Sequence, residues 1–421
     1  MGVPVNIAVI MPALKQLSAE GLRDQFEQVP ATYNMFEEDT EARFVNGKGF
    51  RIPSYLRPPT GVSGIGDGGS FAQPGAETYD DMYVYPMSLT MAFEITGRTL
   101  RNVEDESSLL DGFKGFLEKR TMALKKEANF QVFNDGSALR GIYKSGTTTV
   151  TLYNAIDHTP LANFGSTKGA VQMRVGERYD VYDATLTTLR ASAVTPTAKT
   201  NKTITIAAAI PGATDGDVFV LSNSLFKTPR GLPYIVNNDT GIFQLQSRAT
   251  YPQLKAPVTD LNGSAIAVAD FTKTKNLLIA RAGVGKAKTV MAIMSLAQDD
   301  ALRRLGQNYK RFDGDARKFD GSFDAFGHGD TVFNIDPDCD EDRIYLTVKS
   351  ELKRYVEKRF GLYDEDGNEI RMRSGVAGYG SDSWTGAIGA HWNYGTPEPR
   401  CHALIKRCAV SGLSTQVLAE A

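Results

Sequence analysis

From Tyr79 to Thr96 the chain reads YDDMYVYPMSLTMAFEIT, and Tyr83, Tyr85, Met87, Leu89, Met91, Phe93 and Ile95 fall at strict period two. Successive strand side chains point to opposite faces. The alternation therefore predicts one long β-strand with a single apolar face, about 45 Å at ~3.3 Å per residue. Pro86 lies on the other face and lacks an N–H, which predicts an edge position. Upstream, ARFVNGKGFRIPSYL reads as strand broken by a turn at Asn46-Gly47, and residues 57–78 are a mobile loop dense in Gly and Pro. Two strands about such a tip predict an extended hairpin arm over residues 43–98. A lone ribbon is marginal in water, so the arm is expected to bury little in its own subunit and to set its Tyr85–Ile95 face against an adjacent one.

The clearest helix runs from about Ser107 to Phe133, with Leu110, Phe113, Leu117, Leu124 and Ala128 at three- and four-residue steps. Asp105 and Ser107 are candidate N-caps, and Asn134-Asp135-Gly136 supplies turn chemistry at the other end. Lys114, Glu118, Arg120, Lys125 and Glu127 are expected on a face turned to solvent or a neighbour. Gly112 and Gly115 mark either close packing or a bend. A weaker helical pattern, with Leu14, Leu17, Leu22 and Phe26 on one side, occupies residues 11–36.

Residues 145–270 turn to short alternating runs rich in Thr, Val and Ala, which predicts an antiparallel β insertion, most barrel-like and self-contained over 171–224. From Asp270 helix and strand alternate: DFTKTKNLLIARAG helical, KTVMAIMS a buried strand, LAQDDALRRLGQNY helical, TVFNID and RIYLTV strands. The rest reads as a loop-rich segment closed by a strand near 402–410. The fold class expected is α+β.

With 421 residues the chain can hold two or three domains, and its net charge of −2 argues against binding nucleic acid by bulk charge. No apolar run reaches the ~20 residues that span a bilayer, and the N-terminus lacks the basic stretch of a secretory signal. Cys339, Cys401 and Cys408 show no C-x-x-C spacing and read as reduced thiols of a cytosolic product, which leaves the sequons at Asn201, Asn238 and Asn262 unused.

The element order resembles the capsid fold of tailed bacteriophages, the Hong Kong 97-like fold shared with encapsulins and the floor of herpesvirus shells. NVEDESSLLDGFKGFLEKRTMALKKEANFQVFNDGSALRGI resembles that family's spine helix and its exit, GLPYIVNNDTGIFQLQSRATYPQLKAP its lead into the axial domain, and WNYGTPEPRCHALIK its last strand. On this chain the resemblance implies an N-terminal arm at 1–42, an extended loop at 43–98, a peripheral domain with the spine helix at 99–145, a β-rich insertion at 146–269, an axial α/β domain at 270–342, and return segments with the closing strand at 343–421. It implies a non-enzymatic major capsid protein, assembled in a bacterial cytoplasm into pentamers and hexamers of the virion shell. The partners implied are copies of itself, a separate scaffolding protein, a portal, a decoration protein and packaged double-stranded DNA, with no membrane. Encapsulins, an enzyme with a β accessory domain and a phage tail or adhesin protein are the rival readings.

No catalytic, cofactor or metal residue is assigned. Gly64, Gly66 and Gly69 match the dinucleotide fingerprint, but neither strand nor helix flanks them, so they read as a loop tip. Gly283-Val284-Gly285-Lys286 fails the phosphate-loop pattern at Ala280 and Ala287. Asp336, Asp338, Asp340, Glu341 and Asp342 lack EF-hand spacing and are expected as a solvated turn or as partners for a neighbour's Arg. Asp364-Glu365-Asp366-Gly367 reads as a hairpin turn. His158, His328, His391 and His402 show no metal spacing. The family's occasional isopeptide would implicate Lys48 and Asn393, without an evident activating Glu.

Overall fold

The computed structural model describes residues 32–96, 120–156, 159–160, 170–309, 331–363, 370–374 and 380–409, apart from a few positions within these spans. The expected helix over 11–36 lies outside them except at its end, where Tyr33–Met35 form a single 3-10 turn. The chain then forms β1 (Glu37–Glu38), β2 (Arg43–Val45), β3 (Gly49–Arg57), β4 (Thr78–Val84) and β5 (Met87–Thr96).

The single long strand expected from Tyr83 to Ile95 is two strands in two sheets. β4 completes the three-stranded sheet β2-β3-β4, whereas β5 pairs with β23 (Gly380–Gly395). The break falls at Tyr85-Pro86, and the buried parity changes there. Met82 and Val84 are buried before it, Leu89 and Phe93 after it. Period two survives on both sides, but the two halves present opposite sets of residues to the core. The arm's root is not left bare either, since Phe50, Ile52, Leu56, Met82 and Val84 pack into this chain's main core with Leu89 and Phe93. This corrects the expectation that residues 43–98 bury little in their own subunit. At ~1.5–3 kcal/mol for each large apolar side chain buried, that root is a substantial part of the fold.

Helix α1, described over residues 120–132, continues into the core through Leu124, Ala128 and Val132. Lys125 and Glu127, expected on a face turned to solvent or a neighbour, are buried within this chain. Gly112 and Gly115 lie outside the described residues. The chain next forms β6 (Leu139–Ser145), β7 (Thr149–Tyr153), the small pair β8 (Ala155–Ile156) and β9 (Thr159–Pro160), then β10 (Tyr179–Tyr182), β11 (Leu189–Val194), β12 (Pro196–Lys199), β13 (Thr203–Ile206) and β14 (Val218–Leu221). Seven of these pair in the order β11-β10-β14-β6-β7-β13-β12. The two ends of that order, β11 and β12, are joined by Thr195 alone, so the sheet curls on itself around Tyr179, Val181, Ile204, Ile206 and Phe219. Bulges between several neighbouring strands supply the curvature. β6 and β7 sit in the middle of the order, so the module begins at Leu139 and is not self-contained over 171–224.

A connector holds α2 (Leu232–Ile235) and the hairpin β15 (Ile242–Phe243) with β16 (Gln246–Ser247). Gly231 is required there, because a Cβ would lie 2.0 Å from the Val132 carbonyl oxygen. Then follow β17 (Val258–Asp260), α3 (Val268–Ala282), β18 (Val290–Met294), α4 (Leu296–Tyr309), β19 (Thr331–Ile335), β20 (Ile344–Thr347), β21 (Lys353–Leu362), β22 (Ile370–Ser374), β23 and β24 (Ala403–Lys406). The mixed sheet β17-β24-β20-β18-β19 draws strands from beyond both limits of the 270–342 block. β18 is buried on both sides: Val290, Ala292 and Met294 face α3 and α4, while Met291 and Ile293 join the main core. Burial of both faces explains its unbroken apolar run.

The segment expected to be loop-rich contains the longest strand among the described residues. β23 takes β21 and β22 along one side and β5 along the other. Ile388, Ala390, Trp392 and Tyr394 point into the core at period two, and Gly386 and Gly389 hide that pattern in the sequence. At Gly389 a Cβ would meet the Leu89 carbonyl oxygen at 2.8 Å, so the glycine permits the β5 contact. β21 and β22 both pair with β23 and not with each other, and the turn expected at 364–367 lies outside the described residues. The class is α+β.

Candidate functional site

Three features bear on function: the arm's surface, its root, and a buried polar joint beneath the helix. The tip loop is pinched where Gly75 N–H donates to the Thr60 carbonyl at 2.7 Å. Beyond the pinch Val62 is fully exposed, Phe71 is 88% exposed and Ile65 is exposed; on the strand side of it Tyr55 of β3 and Tyr79 of β4 are exposed too. The Tyr55 and Tyr79 rings contact one another, tilted by 44° at 4.9 Å between centroids. Several large apolar side chains left in solvent along one loop suit a surface that meets another molecule. Gly64–Gly69 lie on this exposed loop, with neither strand nor helix at either flank.

At the root, β4 is held from the side. The Tyr83 N–H donates to the Gln244 carbonyl at 3.0 Å, and Gln246 Nε2 donates to the Asp81 carbonyl at 2.9 Å. Asn393, named for a possible isopeptide, is buried with its amide engaged by backbone. Its Nδ2 donates to the Tyr85 carbonyl at 2.7 Å, and its Oδ1 accepts from the Arg230 and Tyr394 N–H groups at 2.8 and 2.9 Å. Lys48 lies outside the described residues.

The joint ties α1 to the curled module and to the mixed sheet. Glu127 accepts from Gln131 Nε2 at 2.6 Å and pairs with buried Arg140 of β6, while Arg174 Nη2 approaches at 3.4 Å. Arg140 also lies 4.0 Å above the Phe130 ring. Burial opposes the charge on Glu127, but the two guanidinium groups prevail and hold its carboxyl below the usual range. Asn129 Nδ2 reaches Asp338 at 2.7 Å and Asp336 at 3.2 Å, and Thr32 Oγ1 donates to Asp336 at 2.5 Å. The acidic run is therefore not a solvated turn. Asp336, Asp340, Glu341 and Asp342 are buried, with Arg343 of the same chain within 3.7 Å of Asp340 and 3.5 Å of Asp342. Asp338 is pushed up by burial, with Asp336 adding to the effect.

Among the described residues several groups with catalytic potential are engaged in structural contacts. Lys286 pairs with Glu398 at 2.7 Å and Glu351 at 3.6 Å. Cys401 Sγ donates to Glu398 at 3.3 Å, and burial pushes its thiol up to about 12. His402 is buried against Thr396 at 3.1 Å, and burial lowers it to about 3. His391 contacts the Tyr363 hydroxyl at 2.5 Å, while His158 and His328 lie outside the described residues. Among the described residues no group of three acidic, His or Cys side chains could hold a metal ion. Asn129, Arg140, Gln244 and Arg248 lie in the segments that carry the resemblance, but sequence reasoning gave neither them nor Arg174 a role. Their partners lie in other elements, as with Asn129 and Asp338 or Arg174 and Glu127, and no local spacing records such pairs.

No family model matches the chain, and no curated protein does. Among solved structures it is similar to a chain of the cyanophage A-1(L) capsid asymmetric unit, 12% identical at a TM-score of 0.49, with 89% of this chain and 91% of that one covered. It is also similar to the capsid of a native GTA particle, 10% identical at 0.46 over 90% and 92%. A third likeness is to a chain of Mycobacterium phage Patience, 10% identical at 0.43 over 96% and 90%.

Proposed function

We propose that this chain is a shell-building subunit, the major capsid protein of a tailed phage. Copies of it associate through heterologous contacts into pentamers and hexamers and close an icosahedral shell around double-stranded DNA. The observation that carries the reading is the arm: a firmly seated root that projects a tip whose Val62 and Phe71 face solvent. A compact monomer gains nothing from such a tip, whereas a subunit reaching across its neighbour gains contact area without enlarging its core. The order of arm, helix, β module and mixed sheet is the order of the capsid fold that the sequence resembles. The proposed role is structural, in the virion, after assembly in the host cytoplasm. A separate scaffolding protein, a portal and a decoration protein are the further partners proposed. Lumenal Lys and Arg need only tolerate DNA without reading its sequence. Negative-stain microscopy of the purified chain tests this. Shells, tubes or ring-shaped capsomers are expected, and a uniform monomer at all concentrations would overturn it.

A further inference from the structure

The connector hairpin β15–β16 turns on two residues, Gln244 and Leu245, with φ of +48° and +68°. Positive φ at both central positions is the type I′ geometry, which ordinarily selects Asn-Gly. A bulky Leu there is strained, and strain of this kind persists only where surrounding contacts impose it. Those contacts are present. The Gln244 N–H donates to the Tyr234 hydroxyl at 2.8 Å. The Gln244 side-chain amide, oriented to satisfy both partners, pairs with the Thr396 N–H and carbonyl at 3.2 Å each. Arg248 fixes the base of the hairpin, donating to the Tyr234 and Ile235 carbonyls at 2.7 and 3.2 Å and lying 4.6 Å above the Phe243 ring.

This rigid turn bears on the arm. It supplies the carbonyl for Tyr83 N–H and the amide for the Asp81 carbonyl, so it caps the outer edge of β4. At Gly395, a Cβ would meet the Gln244 side-chain amide at 2.7 Å, Tyr355 Cε2 at 2.8 Å and Val84 Cγ2 at 3.0 Å, so turn, sheet and arm converge on one point. Two residues from it Asn393 takes the Tyr85 carbonyl, at the break where the chain changes sheet. The arm leaves the body at that break.

We propose that residues 242–247 together with Asn393 form a clamp that sets the angle of the arm on the body before any partner is met. The clamp acts as two independent grips, one on the β4 edge and one on the Tyr85-Pro86 break. It spares the arm the ordering entropy that a swinging ribbon would lose on docking. The inference goes beyond the shell reading, because it concerns the free chain whatever the arm touches.

The test is a distance distribution between spin labels at Asp80→Cys on the arm and Lys349→Cys on the body, both exposed, in full-length chain diluted with unlabelled chain. The native cysteines are buried, so the introduced thiols label selectively. The unmodified turn is expected to give a narrow distribution. Leu245→Pro, which forbids positive φ, should broaden it about twofold, whereas Leu245→Gly, which accepts positive φ, should leave it narrow. Gln246→Ala, which removes only the bond to Asp81, should broaden it less than Leu245→Pro. Hydrogen exchange at β20 and β24 should not change in any of these variants. A distribution already broad in the parent, or unchanged in Leu245→Pro, overturns the clamp. Equal broadening by Gly and Pro would show that the Leu245 side chain, not the turn's geometry, holds the arm, and would overturn it also.

Discussion

Asn393 donates its side-chain amide to the Tyr85 carbonyl at 2.7 Å, at the residue where the chain leaves one sheet for another. Pro86 has no N–H, so the backbone ladder is interrupted at this point, and a side chain from β23 bridges the gap. The same amide oxygen holds the Arg230 N–H at 2.8 Å. Asn393→Ala leaves these backbone groups unpaired in a buried site and is expected to cost about 2–3 kcal/mol. Asn393→Asp keeps the acceptor and turns the donor into a charge aimed at a carbonyl, so it should cost at least as much. Chemical denaturation of the two variants checks this.

Glu127 faces Arg140, which is only 2% exposed, and Arg174. Glu127→Ala strands a buried guanidinium and is expected to destabilise the chain by ~3–5 kcal/mol. The double variant Glu127→Leu with Arg140→Met should recover most of that loss, because neither charge then needs a partner. A double-mutant cycle reads the coupling directly. Because the Glu127 carboxyl is held low, its contribution is present above the unfolded carboxylate range and is lost as pH falls through the depressed folded value.

His402 gives an acid-side prediction of definite sign. Buried and lowered to about 3, it stays neutral in the folded chain while the unfolded chain protonates near the ordinary value of about 6.5. Stability from His402 is therefore complete above the unfolded value and declines as pH falls toward the folded one, on the order of 1 kcal/mol per pH unit. His402→Gln should flatten that decline. Asp338, pushed up by burial, acts oppositely: its folded carboxyl takes up a proton before the unfolded one does. Asp338→Asn should steepen the decline where that carboxyl titrates. Denaturation midpoints across this range, for each variant, separate the two.

Val62→Ser with Phe71→Ser changes only exposed positions on the tip. The thermal midpoint should stay within about 1–2 °C of the parent, since exposed substitutions are nearly neutral. Particle yield should fall severalfold if the tip meets a neighbour. Normal particles of normal stability would remove the tip from the assembly surface.

Cys339, Cys401 and Cys408 are buried, and burial raises all three thiols above the ordinary cysteine value. A thiol-specific reagent is expected to label none of them rapidly in the native chain and all three on unfolding. Rapid native labelling of Cys401 would contradict its bond to Glu398.

Local pattern determined much of this molecule. The helical spacing of Leu124 and Ala128, the alternation after Pro86, the turn at Asn134–Gly136 and the apolar run of β18 are each dictated by neighbours within a few residues, so they were legible. Three things were not. The change of buried face at Tyr85-Pro86 depends on β23, some three hundred positions away in sequence. β23 itself was hidden by glycines that are needed only because β5 approaches so closely. Lys125, Glu127 and the acidic run read as solvated because charge ordinarily seeks water; only packing of helix, module and sheet against one another supplied the buried partners that overrule that preference for Glu127 and Asp336. Sequence therefore set most of the elements, through short-range sterics and hydrophobic period. Tertiary structure decided which face each segment buries, where the arm leaves the body and which charges are enclosed, because those outcomes depend on contacts between segments whose meeting no local pattern records.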